Sequence, residues 1–220
     1  MKKIILLAIF LSFLSGCTST KTVPLDMNKL QPTSPSSLTT TKREKPSFAA
    51  MTAGKAMFAA IGALAMISEG NKIITRNDVD DPADYISGEL AKAFSNMLND
   101  MEVKTSELVV SSTKASDLSR YYSESDYVID VQTINWSLVY FPTDWDSYKV
   151  IYSAKLRVID TRTRTQVAEG YCSRDPEQDA SSPSYDMLLA DNAERLKEEL
   201  MIAANYCIGE FKEKVLKVKT

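Results

Sequence analysis

The stretch SDYVIDVQTINWSLVYF, residues 125–141, decides the fold class of this chain. It is rich in β-branched and aromatic residues, and successive side chains of a strand point to opposite faces of a sheet. One alternating set holds Tyr127, Ile129 and Val131, and the other holds Val128, Ile134, Trp136 and Leu138. Because both sets are apolar, the stretch predicts a long strand covered on both faces. The domain is therefore predicted to be built around a sheet.

Two further segments predict the strands that pair with it. Residues 101–112, MEVKTSELVVSS, form one strand, and residues 148–172 form two strands joined at DTRTRT. In the second segment one face is apolar, while Lys149, Lys155 and Arg157 make the other face more polar. The predicted apolar face is made by Val150, Tyr152, Ala154, Leu156 and Val158.

Residues 78–100, DVDDPADYISGELAKAFSNMLND, predict an amphipathic helix. Asp81 suits the N-cap, Pro82 suits the first helical position, and Asp84 suits the positive end of the helix dipole. The same aspartates, with Asp78 and Asp80, could also be read as a calcium site. The segment lacks the ligand order, central glycine and closing glutamate of an EF-hand, so the helix start is the favoured reading.

Residues 48–70, FAAMTAGKAMFAAIGALAMISEG, are rich in alanine, methionine and glycine. The uninterrupted apolar run from Ala56 to Ile67 is too short to span a bilayer, which takes about 20 residues. It therefore predicts a buried helix or hairpin. Its small side chains allow close packing either on the sheet or against a second copy of the chain, and packing in the core is favoured.

The last segment, from Ser184 onward, repeats apolar residues at every third or fourth position and predicts one long helix. The stripe is Leu189, Ala193, Leu196, Leu200, Ala203, Cys207, Phe211 and Val215. The chain therefore predicts an α/β fold, with α+β as the alternative. We expect a single mixed, largely antiparallel sheet of about 4–5 strands, with packed helices and a long C-terminal helix.

The start of the chain has the layout of a secretory signal peptide. Lys2 and Lys3 precede the apolar stretch IILLAIFLSFL at 4–14, which is followed by small residues. The sequence LSGC at 14–17 resembles the lipobox of bacterial lipoproteins. The resemblance implies cleavage before Cys17, a diacylglycerol on its sulfur, and a fatty acyl chain such as palmitate on its amino group.

This resemblance predicts where the protein works. Residues 1–16 are the predicted signal peptide, and Cys17 is the predicted membrane anchor. Thr18 rather than aspartate follows the cysteine, which in enteric-type bacteria implies the outer membrane, with the body facing the periplasm. The alternative is a plain secreted protein in which the cysteine has no such role.

Residues 17–47 are rich in threonine, serine, proline and lysine and are predicted to be a flexible tether. Within it, KREK at 42–45 could touch anionic head groups, although a solvated linker is the favoured reading. Residues 48–220 are predicted to be one globular domain. They hold 19 basic and 27 acidic residues, a net charge of −8, which disfavours nucleic acid as a partner.

With Cys17 lipidated, Cys172 and Cys207 remain as an even pair in an oxidising compartment. They are predicted to form a disulfide, and two buried free thiols are the alternative. Cys207 lies on the apolar stripe of the last helix, while Cys172 ends a strand.

The sequence gives little sign of catalysis. It has no histidine, which removes the commonest general base and the Ser-His triads. Asp144 and Asp146 form a pair of carboxylates, but they flank Trp145 in a predicted turn and read as solvated loop residues. We expect no enzyme, no cofactor and no metal site.

The turn at 140–148 also carries a cluster of aromatic residues. Tyr140, Phe141, Trp145 and Tyr148 could anchor a partner protein, or their rings could fold back to cap the core. The two readings stay open at this point.

The strand–turn–strand YSAKLRVIDTRTRTQVAEG, at 152–170, resembles the hairpin of envelope lipoproteins with a TolB-amino-domain or curli-secretion-like fold. The resemblance implies a structural or accessory subunit of an envelope assembly or secretion complex, with envelope proteins as partners and self-association as a further option. The alternative is a solute- or glycan-binding lipoprotein that uses the aromatic turn. A hydrolase using carboxylates alone has no support in the residue spacing.

Overall fold

The computed structural model describes residues 21–30, 36–52, 59–98 and 100–218. The predicted signal peptide and Cys17 lie outside the described residues, so the structure does not test the predictions made for them.

In the described part of the chain, one mixed sheet of six strands forms the centre. Strands β4 and β5 form a long antiparallel hairpin, and β6 pairs antiparallel with β5. On the other side of β4, β1 and β2 both pair with it in parallel, and β3 pairs in parallel with β1. The strands are β1 (Ser37–Arg43), β2 (Ala49–Met51), β3 (Glu102–Val110), β4 (Tyr127–Phe141), β5 (Asp144–Asp160) and β6 (Thr165–Arg174).

Within the described residues, four α-helices pack around this sheet. Helices α2 and α4 cover one face, where Ile86, Leu90 and Phe94 of α2 join a core with Tyr127 and Ile129 of β4. Helix α3 covers part of the other face through a smaller cluster around Leu118. The helices are α1 (Ala59–Arg76), α2 (Pro82–Met97), α3 (Ala115–Tyr121) and α4 (Tyr185–Glu210). The predicted mixed α/β fold with a long C-terminal helix is confirmed.

Helix α2 begins as the sequence predicts. Asp81 is its N-cap, and its carboxylate accepts a hydrogen bond of 3.0 Å from the amide of Ala83. Pro82 occupies the first helical position. The favoured reading of this acidic segment as a helix start is therefore confirmed.

The predicted C-terminal helix is less regular than its apolar stripe suggests. Residues 190–193 depart from helical geometry, and Asp191, Asn192 and Ala193 have positive φ angles of 49°, 59° and 56°. The helix resumes and continues into a π-helical turn, Phe211–Leu216. Most of the stripe is buried nonetheless, from Ala193 and Leu196 to Phe211 and Val215.

The prediction of a flexible tether through residue 47 is wrong for part of its length. Residues 37–43 form β1, which lies between β3 and β4. The strand is polar, but Thr39 and Thr41 are buried, and Thr41 donates a hydrogen bond of 2.8 Å to the Asp130 carboxylate. Because its hydroxyls have partners inside the sheet, a segment with the composition of a linker becomes an inner strand.

The first described residues are also held by the body. The amide of Val23 donates to the carbonyl of Glu169 at 2.7 Å, and the amide of Glu169 donates back at 2.9 Å. The amide of Leu25 donates to the carbonyl of Val215, and the Leu25 side chain is buried in the core. We call residues 21–30 the N-terminal strap, because Val23 pairs with the outer edge of β6 and Leu25 bonds to the π-helical turn.

The basic KREK segment is not a solvated linker either. Arg43 is buried and forms an ion pair with Asp130 at 2.6 Å, and Arg157 reaches the same carboxylate at 2.8 Å. The Lys45 ammonium donates to the carbonyl of Val79 at 2.9 Å. These side chains fix β1 and the chain after it to the body.

Candidate functional site

A groove of about 570 Å³ opens between the start of α2 and the middle of α4. Its lining combines four aspartates with apolar side chains and a single lysine. The aspartates are Asp78, Asp80, Asp81 and Asp84, and Lys197 faces them from α4. We call this feature the acidic groove.

The turn before α2 is shaped by short-range hydrogen bonds. The side-chain amide of Asn77 donates to the carbonyl of Ile73 and closes the end of α1. Asp78 then adopts a positive φ of 49°, a conformation that aspartate tolerates better than most residues. The amide of Val79 bonds back to Ile74, and the buried Val79 side chain holds the turn against the core. The aspartates are thereby displayed on a rigid turn.

A buried polar chain runs beneath the groove. The Thr133 hydroxyl of β4 donates to the Asp81 carboxylate, and the Tyr152 hydroxyl of β5 lies 2.9 Å from the same threonine oxygen. Because the Thr133 hydroxyl has one hydrogen and donates it to the carboxylate, the Tyr152 hydroxyl must donate to the Thr133 oxygen. Burial raises the pKa of the Tyr152 phenol, which keeps this hydroxyl protonated and able to donate.

Burial also shifts the groove's carboxylates. It is the largest cause of the raised pKa of Asp81, and the hydrogen bonds from Thr133 and Ala83 oppose it. Burial likewise raises the pKa of Asp84, against the attraction of Lys42 and Lys45. The lining of four aspartates against one lysine gives the groove an acidic character that a cationic group from outside would complement.

One wall of the groove continues into exposed apolar surface. Tyr85 of α2 and Met201 of α4 line the groove and are 41% and 44% exposed, and Ile202 and Tyr206 extend the patch along α4. The Tyr85 hydroxyl donates to the Asn205 side chain at 3.2 Å and ties the two helices together. Exposed aromatic and methionine side chains beside a charged rim are typical of protein-binding surfaces.

The groove's chemistry favours binding. Within the described residues, no three His, Cys, Asp or Glu side chains are arranged to hold a metal ion. Asp81 is engaged as a helix cap, and Lys45 lies 3.7 Å from Asp80 at the outer edge. What the arrangement offers is a rigid acidic and aromatic surface.

The four aromatic residues predicted from the sequence lie at the end of the β4–β5 hairpin, but they do not form one exposed surface. Phe141 and Tyr148 are each only 6% exposed, and Tyr140 packs against the core. The Tyr148 ring stacks at 5.4 Å on Tyr185 of α4. Only Trp145, at 61% exposure, remains available to a partner, so the reading as core caps describes the other three.

The hairpin end offers little space for a ligand. A hollow of about 90 Å³ lies beside Phe141 and Tyr148, whereas small-molecule sites measure about 300–1,000 Å³. Asp144 accepts hydrogen bonds from the Ser147 hydroxyl and the Asp146 amide, and the bond from Ser147 is the main cause of its lowered pKa. Asp144 therefore acts as a turn residue at this end of the hairpin.

Cys172 of β6 and Cys207 of α4 form a disulfide, with their Cα atoms 5.5 Å apart. Both residues are buried, so the bond joins the sheet to the last helix inside the core. The sequence-predicted pairing agrees with this arrangement.

The sequence pattern singled out the groove's aspartates, but it did not predict the groove that they line. Tyr85 and Asn205 are 120 positions apart, and the facing wall comes from a helix whose apolar stripe points into the core. The available signal was the run of exposed apolar residues Met201, Ile202 and Tyr206 on the polar side of that stripe.

Comparison with known proteins leaves the family open. No family model matches the chain, and no curated protein does. Similar solved structures include the PelC dodecamer of Paraburkholderia phytofirmans, at 10% identity and a TM-score of 0.36, covering 81% of this chain and 96% of that one. Lipoprotein GNA1162 of Neisseria meningitidis is 12% identical at a TM-score of 0.30, covering 81% and 99%. The DUF330-family protein XCC0632 of Xanthomonas campestris is 10% identical at 0.31, covering 90% and 97%.

One of these similar structures is a lipoprotein by name, but likenesses this low carry no argument about function, partners or assembly. What the chain does must therefore be argued from its own residues.

Proposed function

We propose that this protein is a non-enzymatic lipoprotein of the bacterial envelope, anchored through Cys17, whose acidic groove binds a protein partner. The anchor rests on the lipobox at 14–17, and Thr18 favours the outer membrane and its periplasmic face. The binding role rests on one observation: exposed Tyr85 and Met201 stand beside aspartates on a rigid turn. A structural or accessory subunit of an envelope complex is the role that fits both features.

The chemistry of the groove selects the partner. Asp80 projects from the turn before α2, and Asp84 projects from the first turn of that helix. Within the described lining, Lys197 is the only cation on the opposite wall of the groove. A partner segment with lysine or arginine beside an apolar side chain would satisfy both the charge and the apolar wall. We therefore propose a basic amphipathic segment of an envelope protein as the occupant.

Site-specific crosslinking in living cells tests this role. A photoreactive phenylalanine analogue at Tyr85 should give a discrete crosslinked product, since this position lines the groove. Tyr121 is the matched control, because it is a similarly exposed tyrosine, at 48% against 41%, on a helix of the other sheet face. Equal products from both positions, or none from Tyr85, would rule out the groove as the partner site.

Charge reversal provides a second test of the same proposal. The variant Asp80→Lys with Asp84→Lys should lose the Tyr85 crosslink, because it would repel a basic segment. Glu124→Lys with Glu194→Lys, at two exposed positions outside the groove lining, makes the same change in net charge and should keep the crosslink. Loss of the product in both variants would indicate a general charge effect instead.

A further inference from the structure

The first half of α1 exposes apolar side chains between positions 63 and 67, although Met66 among them is buried. Leu64 is 74% exposed and Ile67 is 39% exposed, and Ala63 and Ala65 are exposed with them. The second half is different, since Ile73 and Ile74 are buried in the core. The two halves of one helix therefore meet different surroundings.

This exposure conflicts with the sequence of the helix. Residues 59–67 of α1 carry no charged or polar side chain, so this part of the helix is apolar on every side. A helix that is apolar all round is normally buried in protein or in lipid. The surface that covers Leu64 and Ile67 must therefore come from outside the described body.

The position of α1 on the body is fixed at Gly70. A Cβ atom placed there would come within 2.1 Å of the Phe48 carbonyl oxygen, so the helix is pressed against β2 at this point. With a rise of about 1.5 Å per residue, Leu64 lies about 9 Å further along the helix axis. The contact at Gly70 therefore fixes how far along the helix Leu64 lies from β2.

The exposed half of α1 lies near the hairpin end of the molecule. Glu69 is close enough to Tyr185 to raise the pKa of its phenol, after the larger effect of burial, and Tyr185 stacks on Tyr148 of the hairpin. Trp145 of the hairpin and Met187 of α4 are each 61% exposed, and Ser147 of the hairpin pairs with Ser184, which precedes that helix. We call Leu64, Ile67, Trp145 and Met187 the apolar end.

The start of the chain runs toward this end. Val23 pairs antiparallel with Glu169, so the chain from Val23 back to Lys21 follows β6 in the direction of Arg174. That direction leads along β5 toward Asp144 and the hairpin turn. Cys17 lies four positions before Lys21, and four residues span at most about 14 Å.

We infer that the exposed half of α1 inserts into the interfacial layer of the membrane that holds the lipid anchor, so that the apolar end faces the bilayer. The inference rests on the proposed anchoring at Cys17, which would place a lipid surface on the side of the molecule toward which the strap runs from Val23 to Lys21. Among the described residues, no helix has the length and apolar character needed to cross a membrane, so the contact is an insertion into one leaflet.

The charges of α1 agree with a lipid surface. Its second half carries exposed Lys72 and Arg76 against a single acidic residue, Glu69, while the body as a whole is strongly acidic. Basic residues next to an inserted apolar segment face the phosphates of the head groups. The molecule thus presents its least acidic helix to the bilayer.

Tryptophan quenching by brominated lipids tests the insertion. The full mature lipoprotein would be reconstituted into phosphatidylcholine–phosphatidylglycerol vesicles with or without bromine on the acyl chains. Leu64→Trp would be made in a Trp145→Phe background, where Trp136 remains as a buried internal reference at 1% exposure. We expect bromine to lower the added emission at least twofold. Tyr121→Trp, on the other sheet face, is the matched control and should change little.

The outcomes separate this inference from the proposed anchor. Mass spectrometry of the same preparation reports whether Cys17 is acylated. Acylated protein without quenching at Leu64→Trp would overturn the insertion and leave the anchor intact. Quenching in protein with an unmodified Cys17 would support the insertion and remove the anchor. Efficient Leu64→Cys crosslinking between two copies, with no quenching, would assign the surface to self-association and overturn the inference.

Discussion

Val23 and Glu169 exchange two backbone hydrogen bonds, of 2.7 and 2.9 Å, across the free edge of β6. This pairing places the first described residues on the body instead of in a loose linker. If Cys17 is the anchor, few residues separate the lipid from the fold, and the body is held close to the membrane. The long flexible tether predicted from composition would have allowed it to stand far away.

The strap should depend on Leu25, whose side chain is 6% exposed. Leu25→Ala removes a buried leucine, a change that costs about 2–5 kcal/mol in well-packed sites. We expect the strap to detach and trypsin cleavage after the exposed Lys29 to accelerate roughly tenfold or more, because local opening governs cleavage. Met27→Ala, at an exposed position, is the control and should leave the rate unchanged. Equal rates in both variants would show that the strap is not held by its side chains.

Gly70 should be intolerant of any side chain. Gly70→Ala would place a Cβ within 2.1 Å of the Phe48 carbonyl oxygen and within 2.7 Å of its carbon, and backbone atoms of a strand cannot move aside cheaply. We expect a loss of about 1–3 kcal/mol in the free energy of unfolding, measured by urea denaturation. Gly88→Ala in α2 meets nothing within 4 Å and should gain about 0.5–1 kcal/mol. Equal effects at both sites would contradict the close approach of α1 to β2.

The Cys172–Cys207 disulfide should be a major source of stability. It closes a loop with a sequence separation of 35, for which the chain-entropy model gives about 4 kcal/mol. We expect Cys172→Ala with Cys207→Ala to lower the free energy of unfolding by about this amount, and the urea midpoint with it. Reductant should destabilise the wild-type protein but not the double variant. A wild-type midpoint that reductant does not move would show that the bond is absent or contributes nothing.

Asp81 should make stability depend on pH in an unusual direction for an aspartate. Its pKa is raised in the folded state, chiefly by burial, so the folded protein holds the proton more tightly than the unfolded chain does. The resulting stabilisation is present below the ordinary aspartate pKa and is lost as the pH rises through the raised value.

Asp81→Asn keeps the helix cap but cannot ionise. Relative to wild type it should therefore gain stability as the pH rises from about 4 toward 7. Thr133→Val should lose stability more steeply than wild type as the pH rises, because it removes a hydrogen bond that lowers the Asp81 pKa. Unfolding curves across this pH range measure both effects. If the free energy of unfolding changed with pH in the same way for wild type and both variants, a raised Asp81 pKa would be contradicted.

The sequence was most informative where a pattern was long. The strand at 125–141, the strands within 148–172 and the helix starting after Asp81 were predictable because periodicity, capping and turn residues agreed. Strand β1 was missed because its serines, threonines and basic residues resemble a linker. Their burial depends on partners such as Asp130 that lie about 90 positions away in the chain.

Short elements and contacts between distant segments were not predictable. Strand β2 has three residues and α3 has seven, too few for a periodic signal. The irregular stretch at 190–193 was hidden by an apolar stripe that continues through it. The acidic groove needs α2 and α4 side by side, and only the fold shows that arrangement.

Mass spectrometry of the native protein's N-terminal peptide tests the proposed anchor most directly. The account predicts a mature chain that begins at Cys17, with a diacylglycerol on the sulfur and an acyl group on the amine. A free thiol at position 17, or a chain that still carries residues 1–16, would contradict it.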